Sequence, residues 1–172
     1  MNYAALKKTD VANGPGVRVS LYVSGCTHHC RGCFNAETWD FAYGKPFTEE
    51  TLKELLDAVG ENYIRGFTVL GGEPFEPENR LVVLDILKKV REKYPDKDIW
   101  CYTGYTYETD LLKWISEGRN EIKELLDLID VLVDGEFVEE KKNLRLKFRG
   151  SENQRLIDVK KSMDGTTQLV IS

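Results

Sequence analysis

No run of apolar residues in this 172-residue sequence approaches the roughly 18 to 20 that a membrane-spanning helix needs, so no membrane contact is expected. The opening residues hold no hydrophobic block of the kind a secretory leader carries. Histidine occurs only twice, and four cysteines are too sparse for the disulfide framework of a small secreted domain. Surplus positive charge is missing as well. The 24 Lys and Arg are outnumbered by 29 Asp and Glu, a formal charge of −5 that argues against broad nucleic-acid binding. Repeats and low-complexity tracts are also absent. With 41% hydrophobic and 31% charged residues, what remains is a soluble globular chain, expected to form a single domain over residues 1–172. Reduced cysteines at metal-like spacing point to the cytoplasm.

The cysteines that are present are not scattered. Cys26, Cys30 and Cys33 stand in a Cys-x3-Cys-x2-Cys arrangement within Gly-Cys-Thr-His-His-Cys-Arg-Gly-Cys-Phe-Asn, residues 25–35. Thiolates so spaced on a tight loop can grip one metal centre together. Three are too few for the closed four-cysteine shell of a structural zinc or an electron-transfer cluster. Four irons on three protein sulfurs leave one iron open to a substrate or cofactor, as a catalytic zinc keeps one position open. A zinc-binding interaction module, with His28 or His29 as fourth ligand, stays open as the alternative, although either ring must fold back onto the same small loop. The fourth cysteine, Cys101, lies between Trp100 and Tyr102 and reads as a small core residue.

Residues 1–13 carry little pattern. Gly14-Pro15-Gly16 is a turn, and Val17 to Val23 alternates apolar and polar, a strand that runs straight into the cysteine loop. Residues 36–47 read as irregular, with Trp39, Phe41, Tyr43 and Phe47 expected to pack over that loop. Thr48 caps a helix in which Leu52, Leu55, Leu56 and Val59 recur at helical spacing, and Gly60 stops it. A buried strand over 66–70 ends in Gly71-Gly72-Glu73-Pro74. A second helix over 78–93 places Leu81, Leu84, Leu87 and Val90 on successive turns, and Pro95 ends it. A strand at 98–103, helices at 108–116 and 120–128, and a strand at 129–133 running into Asp134-Gly135-Glu136-Phe137 follow. Such alternation predicts a parallel sheet with crossover helices. A final strand at 168–171 brings the expectation to about five. The fold class is therefore α/β: an incomplete TIM-like βα barrel, short of the about 250 residues of a full one. Its core covers about 13–137. In the tail, Lys141, Lys142, Arg145 and Lys147 read as a solvated basic face, 149–155 as an exposed polar loop, and 138–172 as a segment facing a partner.

Ligands of parallel α/β proteins collect at the carboxyl ends of strands, where the cysteine loop, the Gly71-Gly72-Glu73-Pro74 turn and Asp134-Gly135 all fall. Glycines at 71 and 72 let a ligand approach the backbone closely, and carbonyls there can accept from an ammonium group. A plain glycine turn with an acid capping the next helix is the other reading. Together these strings resemble the radical S-adenosylmethionine (SAM) superfamily. Gly14-Pro15-Gly16-Val17-Arg18, Val23-Ser24-Gly25-Cys26 through Cys33-Phe34-Asn35, and Arg149-Gly150-Ser151-Glu152-Asn153-Gln154-Arg155 are similar to one branch, the activating proteins of anaerobic (class III) ribonucleoside-triphosphate reductase. The resemblance covers most of the chain. It implies a 4Fe-4S cluster on Cys26, Cys30 and Cys33, SAM at the open iron, and the SAM amino group held by Gly71, Gly72 and Glu73. Many superfamily members have an aromatic residue just before the third cysteine. Here that place is Gly32, and Phe34 takes over the packing near the adenine. Asp134 is the strand-end candidate for a ribose hydroxyl. The implied reaction leaves a glycyl radical on the large subunit of the reductase, with an electron from a flavodoxin- or ferredoxin-like donor. Another glycyl-radical protein, or a small molecule, is the alternative target.

Overall fold

Burial on both faces marks the central strands as an inner sheet with a layer on either side. In β2 (Arg18–Val23) five of six residues are buried, and in β4 (Gly66–Gly71) the same holds. The computed structural model describes residues 1–162 and 166–170. Its sheet has the order β3-β1-β2-β4-β5-β6-β7, where β1 is Asn2–Asp10, β3 Lys45–Pro46, β5 Asp98–Tyr102, β6 Val131–Asp134 and β7 Arg155–Asp158. Strands β2, β4, β5 and β6 run parallel. Antiparallel strands extend both edges, β1 and β3 on one side and β7 on the other. The sheet is mixed, parallel-rich and not closed.

The seven strands exceed the five expected, and the two long additions have physical reasons. Residues 2–10 form β1 because they pair with β2, Tyr3 beside Val23 and Lys7 beside Ser20, although their half-buried side chains alternate too weakly to announce a strand. Residues 155–158 form β7 on β6, inside what reads from sequence as a polar tail. The strand expected at 168–171 is reduced to one bridge, Leu169 to Ile157, and Ile171 lies outside the described residues.

Among the helices, α1 (Glu49–Val59) starts at Thr48, whose side chain accepts from the backbone N–H of Thr51 while Thr51 bonds back, a reciprocal cap. Helix α2 (Pro77–Lys93) opens on a proline whose missing N–H costs nothing there. A π-helical turn, Tyr107–Leu112, leads into α3 (Lys113–Ser116), and α4 is Asn120–Leu128. Leu81 does not face the core as its spacing suggests; it is 65% exposed. Asn79 and Arg80 are buried in its place, because α2 turns those two polar side chains toward the chain segments before it.

Alternation along the parallel strands sorts their side chains into two layers. Val19, Leu21 and Val23, with Phe67, Val69, Ile99, Cys101 and Leu132, join the inner faces of α1, α2 and α4 in one core cluster. Neighbours of opposite parity, Tyr22, Leu70 and Tyr102, line a cavity instead. Cys101 is thus the core residue its surroundings suggest. Arg18, fully buried, spans the same non-helical side. Its guanidinium donates to Thr68 Oγ1 at 2.8 Å and to the carbonyls of Pro15 and Phe67 at 3.1 Å, and pairs with Asp98 at 2.5 Å. Gly14, at φ +130°, is glycine for this reason: an added Cβ would stand 2.7 Å from Arg18 Nε.

Strand β7 is latched by one guanidinium. Arg155 Nη2 reaches Glu108 Oε1 and Asp134 Oδ2, each at 2.6 Å, and its Nε donates to Asp134 Oδ1 at 3.0 Å. The hydrogen bond from Arg155, joined by one from Thr167, lowers the Glu108 carboxyl from 4.5 to about 2. A depressed folded-state value means stability that is full above about 4.5 and lost as pH falls through about 2. The denaturation midpoint of the metal-free chain should therefore fall across this window. In Arg155→Met the fall should be shallower, and an identical slope in both proteins would show that the latch does not carry it.

Candidate metal centre

The register of the parallel strands brings the chemistry together. Val23 stands beside Gly71, so the cysteine loop and the Gly71-Gly72-Glu73-Pro74 turn leave the sheet side by side. Backbone bonds then stitch them: Gly72 N–H to the Val23 carbonyl at 2.9 Å, and Glu73 N–H to that of Gly25 at 2.8 Å. A Cβ on Gly72 would meet the Gly25 carbonyl oxygen at 2.6 Å, and one on Gly71, at φ +120°, would meet the Val23 backbone at 2.5 Å. The space that Gly72 frees is filled by the start of the cysteine loop, and that beside Gly71 by the end of β2. Across the loop's other side, Gly25 and Cys26 donate to the carbonyls of Thr38 and Trp39 at 2.7 and 3.1 Å. Phe41 packs on Gly25 and Trp39 stacks on His29 at 4.5 Å, the cover expected of the aromatics at 36–47, whereas Phe47 packs on Tyr3.

Cys26, Cys30 and Cys33 line one cavity of about 420 Å³ together with Gly71, Gly72 and Phe34. All three are unbridged; Cys26 is buried and the others half-buried. Burial pushes the Cys26 thiol up to about 12, aided by the charge of Glu73 and opposed by the backbone amides of His28 and His29. Burial, then the charge of Glu136, raises Cys30. Such thiols ionise when a positive centre is at hand to take them as ligands. Among the described residues no three His, Cys, Asp or Glu side chains close on one point as a single ion requires. An iron–sulfur cube makes no such demand, since its cysteines attach to separate irons. Trp39, also on the cavity wall, has its Nε1–H buried without an acceptor. An orphan donor beside three thiols suits a group rich in sulfide acceptors. His28 is not free to complete a zinc shell: it bonds Glu73 at 2.9 Å through Nε2 and Glu136 at 3.0 Å through Nδ1, while His29 lays its ring on Trp39.

Glu73 proves to be the hub under the cavity. Fully buried, its carboxylate accepts from Phe75 N–H at 2.9 Å, Thr103 Oγ1 at 2.9 Å, Gly104 N–H at 2.7 Å and His28. It joins the cysteine loop, the start of α2 and the end of β5. Burial lowers the His28 imidazole, but hydrogen bonds to Glu73 and Glu136, with their charges, raise it to about 9, so it is cationic at neutral pH. Asp134 is likewise buried and committed, to Arg155 and to the Tyr107 N–H at 2.9 Å, and it lines a second, polar cavity with His28 and Arg155. Phe34 is 57% exposed at the rim, 5.0 Å from the Phe137 ring. The string 149–155, expected as an exposed polar loop, is a mostly half-buried latch. Gln154 Oε1 accepts from Gly150 and Ser151 N–H at 2.8 and 3.1 Å while its Nε2 donates to the Gly135 carbonyl at 3.0 Å. Asn35 and Asn79 were not singled out from sequence. Asn35 donates to the Gly71 carbonyl at 3.4 Å, and Asn79 to those of Ser24 and Glu73 at 3.0 Å. Their positions, just after Cys33 and in the first turn after Gly-Gly-Glu-Pro, were the available signal.

Comparison with known proteins decides which family builds such a site. Residues 12–157 match the family model described as a 4Fe-4S single cluster domain. The anaerobic ribonucleoside-triphosphate reductase-activating protein of Enterobacteria phage T4 is 42% identical over 160 residues, 91% of this chain and 93% of its own length. The chain belongs to that activating-protein family. Further members are the activating proteins of Pasteurella multocida (strain Pm70), 42% identical over 90% of this chain and 95% of theirs, and of Escherichia coli (strain K12), 38% identical over 90% and 96%. The matched span of the 4Fe-4S family holds all three cavity cysteines, the Gly-Gly-Glu-Pro turn and the 149–155 latch. A single-cluster domain is what three thiols around one cavity can serve.

Proposed function

We propose that this chain is a radical SAM activase that cleaves SAM reductively and leaves a glycyl radical on an anaerobic ribonucleoside-triphosphate reductase. The observation that carries the reading is the meeting of three thiols and the Gly71-Gly72 turn in one cavity. When bound, the cluster supplies one electron to the SAM sulfonium, giving methionine and a 5′-deoxyadenosyl radical that takes a hydrogen atom from a glycine Cα and ends as 5′-deoxyadenosine. Holding and shielding fall to the chain. Cys26, Cys30 and Cys33 are the cluster ligands. Backbone carbonyls of Gly71 and Gly72 accept from the SAM ammonium group, and Glu73 acts one layer back by fixing that turn. Phe34 and Phe137 offer an apolar wall to the adenine, while Asp134, held by Arg155, immediately precedes Gly135 at the cavity edge. Leu70, Tyr102 and Phe148 add apolar surface to the same lining, which limits the water that reaches a radical.

A sheet with helices over one face and a cavity on the other supports the incomplete barrel as its description. The target is the large subunit of the reductase, and the electron comes from a flavodoxin- or ferredoxin-like donor in the cytoplasm. A charge of −5 favours a protein target over nucleic acid. No helix among the described residues is long and apolar enough to cross a membrane. The test is anaerobic: the chain loaded to about four irons, with SAM, dithionite and the reductase, should give 5′-deoxyadenosine and a glycyl-radical signal by electron paramagnetic resonance. SAM cleavage without any radical on the reductase would assign the chain to another target.

A further inference from the structure

The loop from Lys141 to Arg149 stands apart in a chain whose net charge is negative. It carries Lys141, Lys142, Arg145, Lys147 and Arg149 with no acid among them. Among the described residues, no carboxylate pairs with Lys141, Lys142, Arg145 or Lys147, and the nearby Glu139 is taken by Arg31 at 3.0 Å. Leu144 lies in the middle of these cations, 83% exposed, and together with Leu146 and Phe148 it forms one wall of the cysteine cavity. Lys142 lies over the Phe34 ring, but an aliphatic side chain that exposed, among cations without carboxylate partners at the mouth of a site, is costly unless something covers it.

The loop is also preformed. Its ends are bridged where Lys142 pairs with Ser151, Glu152 N–H donates to the Lys141 carbonyl at 2.9 Å, and Asn143 N–H donates to that of Gly150 at 3.2 Å. Its base is fixed where Tyr102 Oη donates to the Phe148 carbonyl at 2.5 Å. Little entropy is then lost when a partner settles on it.

We propose that this loop docks an extended polypeptide segment that carries carboxylates on either side of an apolar residue. The apolar residue covers Leu144, the carboxylates meet Lys141, Arg145 and Lys147, and the chain beyond them enters the cavity mouth. Identifying that segment with the glycine-bearing part of the target rests on the function proposed above. A polypeptide fits better than single-stranded RNA because leucine offers no ring for a base to stack on, and the remainder of the chain repels phosphates.

The probes are two synthetic glycine-centred peptides of one length, one with leucine between aspartates and glutamates, the other with lysines at the acidic positions. A single-stranded RNA oligonucleotide is the third. Each is titrated into the cluster-loaded chain under anaerobic fluorescence anisotropy. The wild-type chain is expected to prefer the acidic peptide by about tenfold or more, and to lose most of that preference at high salt. In K141E/R145E/K147E the preference should vanish or invert, while SAM cleavage without a partner is unchanged. Should that variant fold poorly by circular dichroism, K141Q/R145Q/K147Q should still abolish the preference. Equal binding of both peptides, a preference that survives in the variant, or RNA bound as tightly as the acidic peptide overturns the proposal. A chain that prefers the acidic peptide but raises no radical on the reductase refutes the function proposed above and leaves the surface standing. A chain that activates the reductase without any charge preference does the reverse.

Discussion

Alanine in place of Cys26, Cys30 or Cys33, one at a time, is expected to abolish the brown chromophore and to lower reductive SAM cleavage by more than about a hundredfold. That exceeds the roughly 10- to 100-fold typical of losing a partner one layer behind the metal. Only three thiols reach the cavity, so no spare ligand can restore the third attachment. The fold should survive. Cys30 and Cys33 are only half-buried, and truncating even buried Cys26 removes one small side chain, a cost of about 1 to 2 kcal/mol. Circular dichroism of the metal-free variants should therefore stay native-like, with a melting temperature lowered by no more than about 2 to 8 °C, while iron content collapses. Cys101→Ala is the matched control. It deletes a thiol that is 0% exposed in the helix-side core, so it should cost stability and keep both iron and activity. Full cleavage activity in any one of the three loop variants would mean that the cavity does not hold the cluster through these sulfurs.

The parts of this design legible in the sequence are those with a local cause. Alternation in 17–23, the short buried run at 66–70 and the capping threonine before α1 located β2, β4 and α1 within a residue or so, and the cysteine spacing located the cavity. What stayed hidden depends on partners far along the chain. Residues 2–10 are a strand only because β2 offers an edge, and Arg155 opens a strand because Asp134 and Glu108 wait for it. Leu81 illustrates the same limit from the opposite side: its spacing is right for the core, but burying Asn79 and Arg80 rotates the helix past it. The glycines of the Gly-Gly-Glu-Pro turn were recognisable as places of close approach. That the neighbours approaching are the end of β2 and the start of the cysteine loop needed the parallel register of β2 and β4.

That register also explains why so many polar groups are buried around one cavity. Loops leaving adjacent parallel strands end with backbone donors and acceptors that no sheet partner can satisfy. Here side chains complete them: Asn79 takes the carbonyls of Ser24 and Glu73, and Arg80 that of Phe75, while Glu76 ties the side-chain hydroxyls of Thr27 and Tyr105 together. The polar residues after Gly71 are thus scaffolding for the cysteine loop, which a ligand-binding reading of the motif overlooks.

Glu73→Gln is the sharpest test of that scaffolding. The carboxylate presents only acceptors, and everything around it donates: two backbone amides, the Thr103 hydroxyl and the His28 ring. A glutamine of the same shape keeps one oxygen and turns an NH2 toward either the Phe75 or the Gly104 amide, donor against donor in a site with no exposure. Leaving one buried donor unsatisfied costs about 1 to 3 kcal/mol, and removing the charge partner of a cationic imidazole adds to it. A loss of about 2 to 4 kcal/mol in the metal-free chain is expected, which for a protein of this size lowers the melting temperature by roughly 5 to 15 °C. Because His28 lies between Cys26 and Cys30, its release should also loosen the loop, so iron leaves the variant faster under a chelator. A residue that touched SAM directly would behave differently: the metal-free protein would melt as wild type does, and only SAM affinity would fall. Measuring melting temperature without metal beside SAM affinity in the loaded protein separates the two roles, and an unchanged melting temperature would remove Glu73 from the position given to it here.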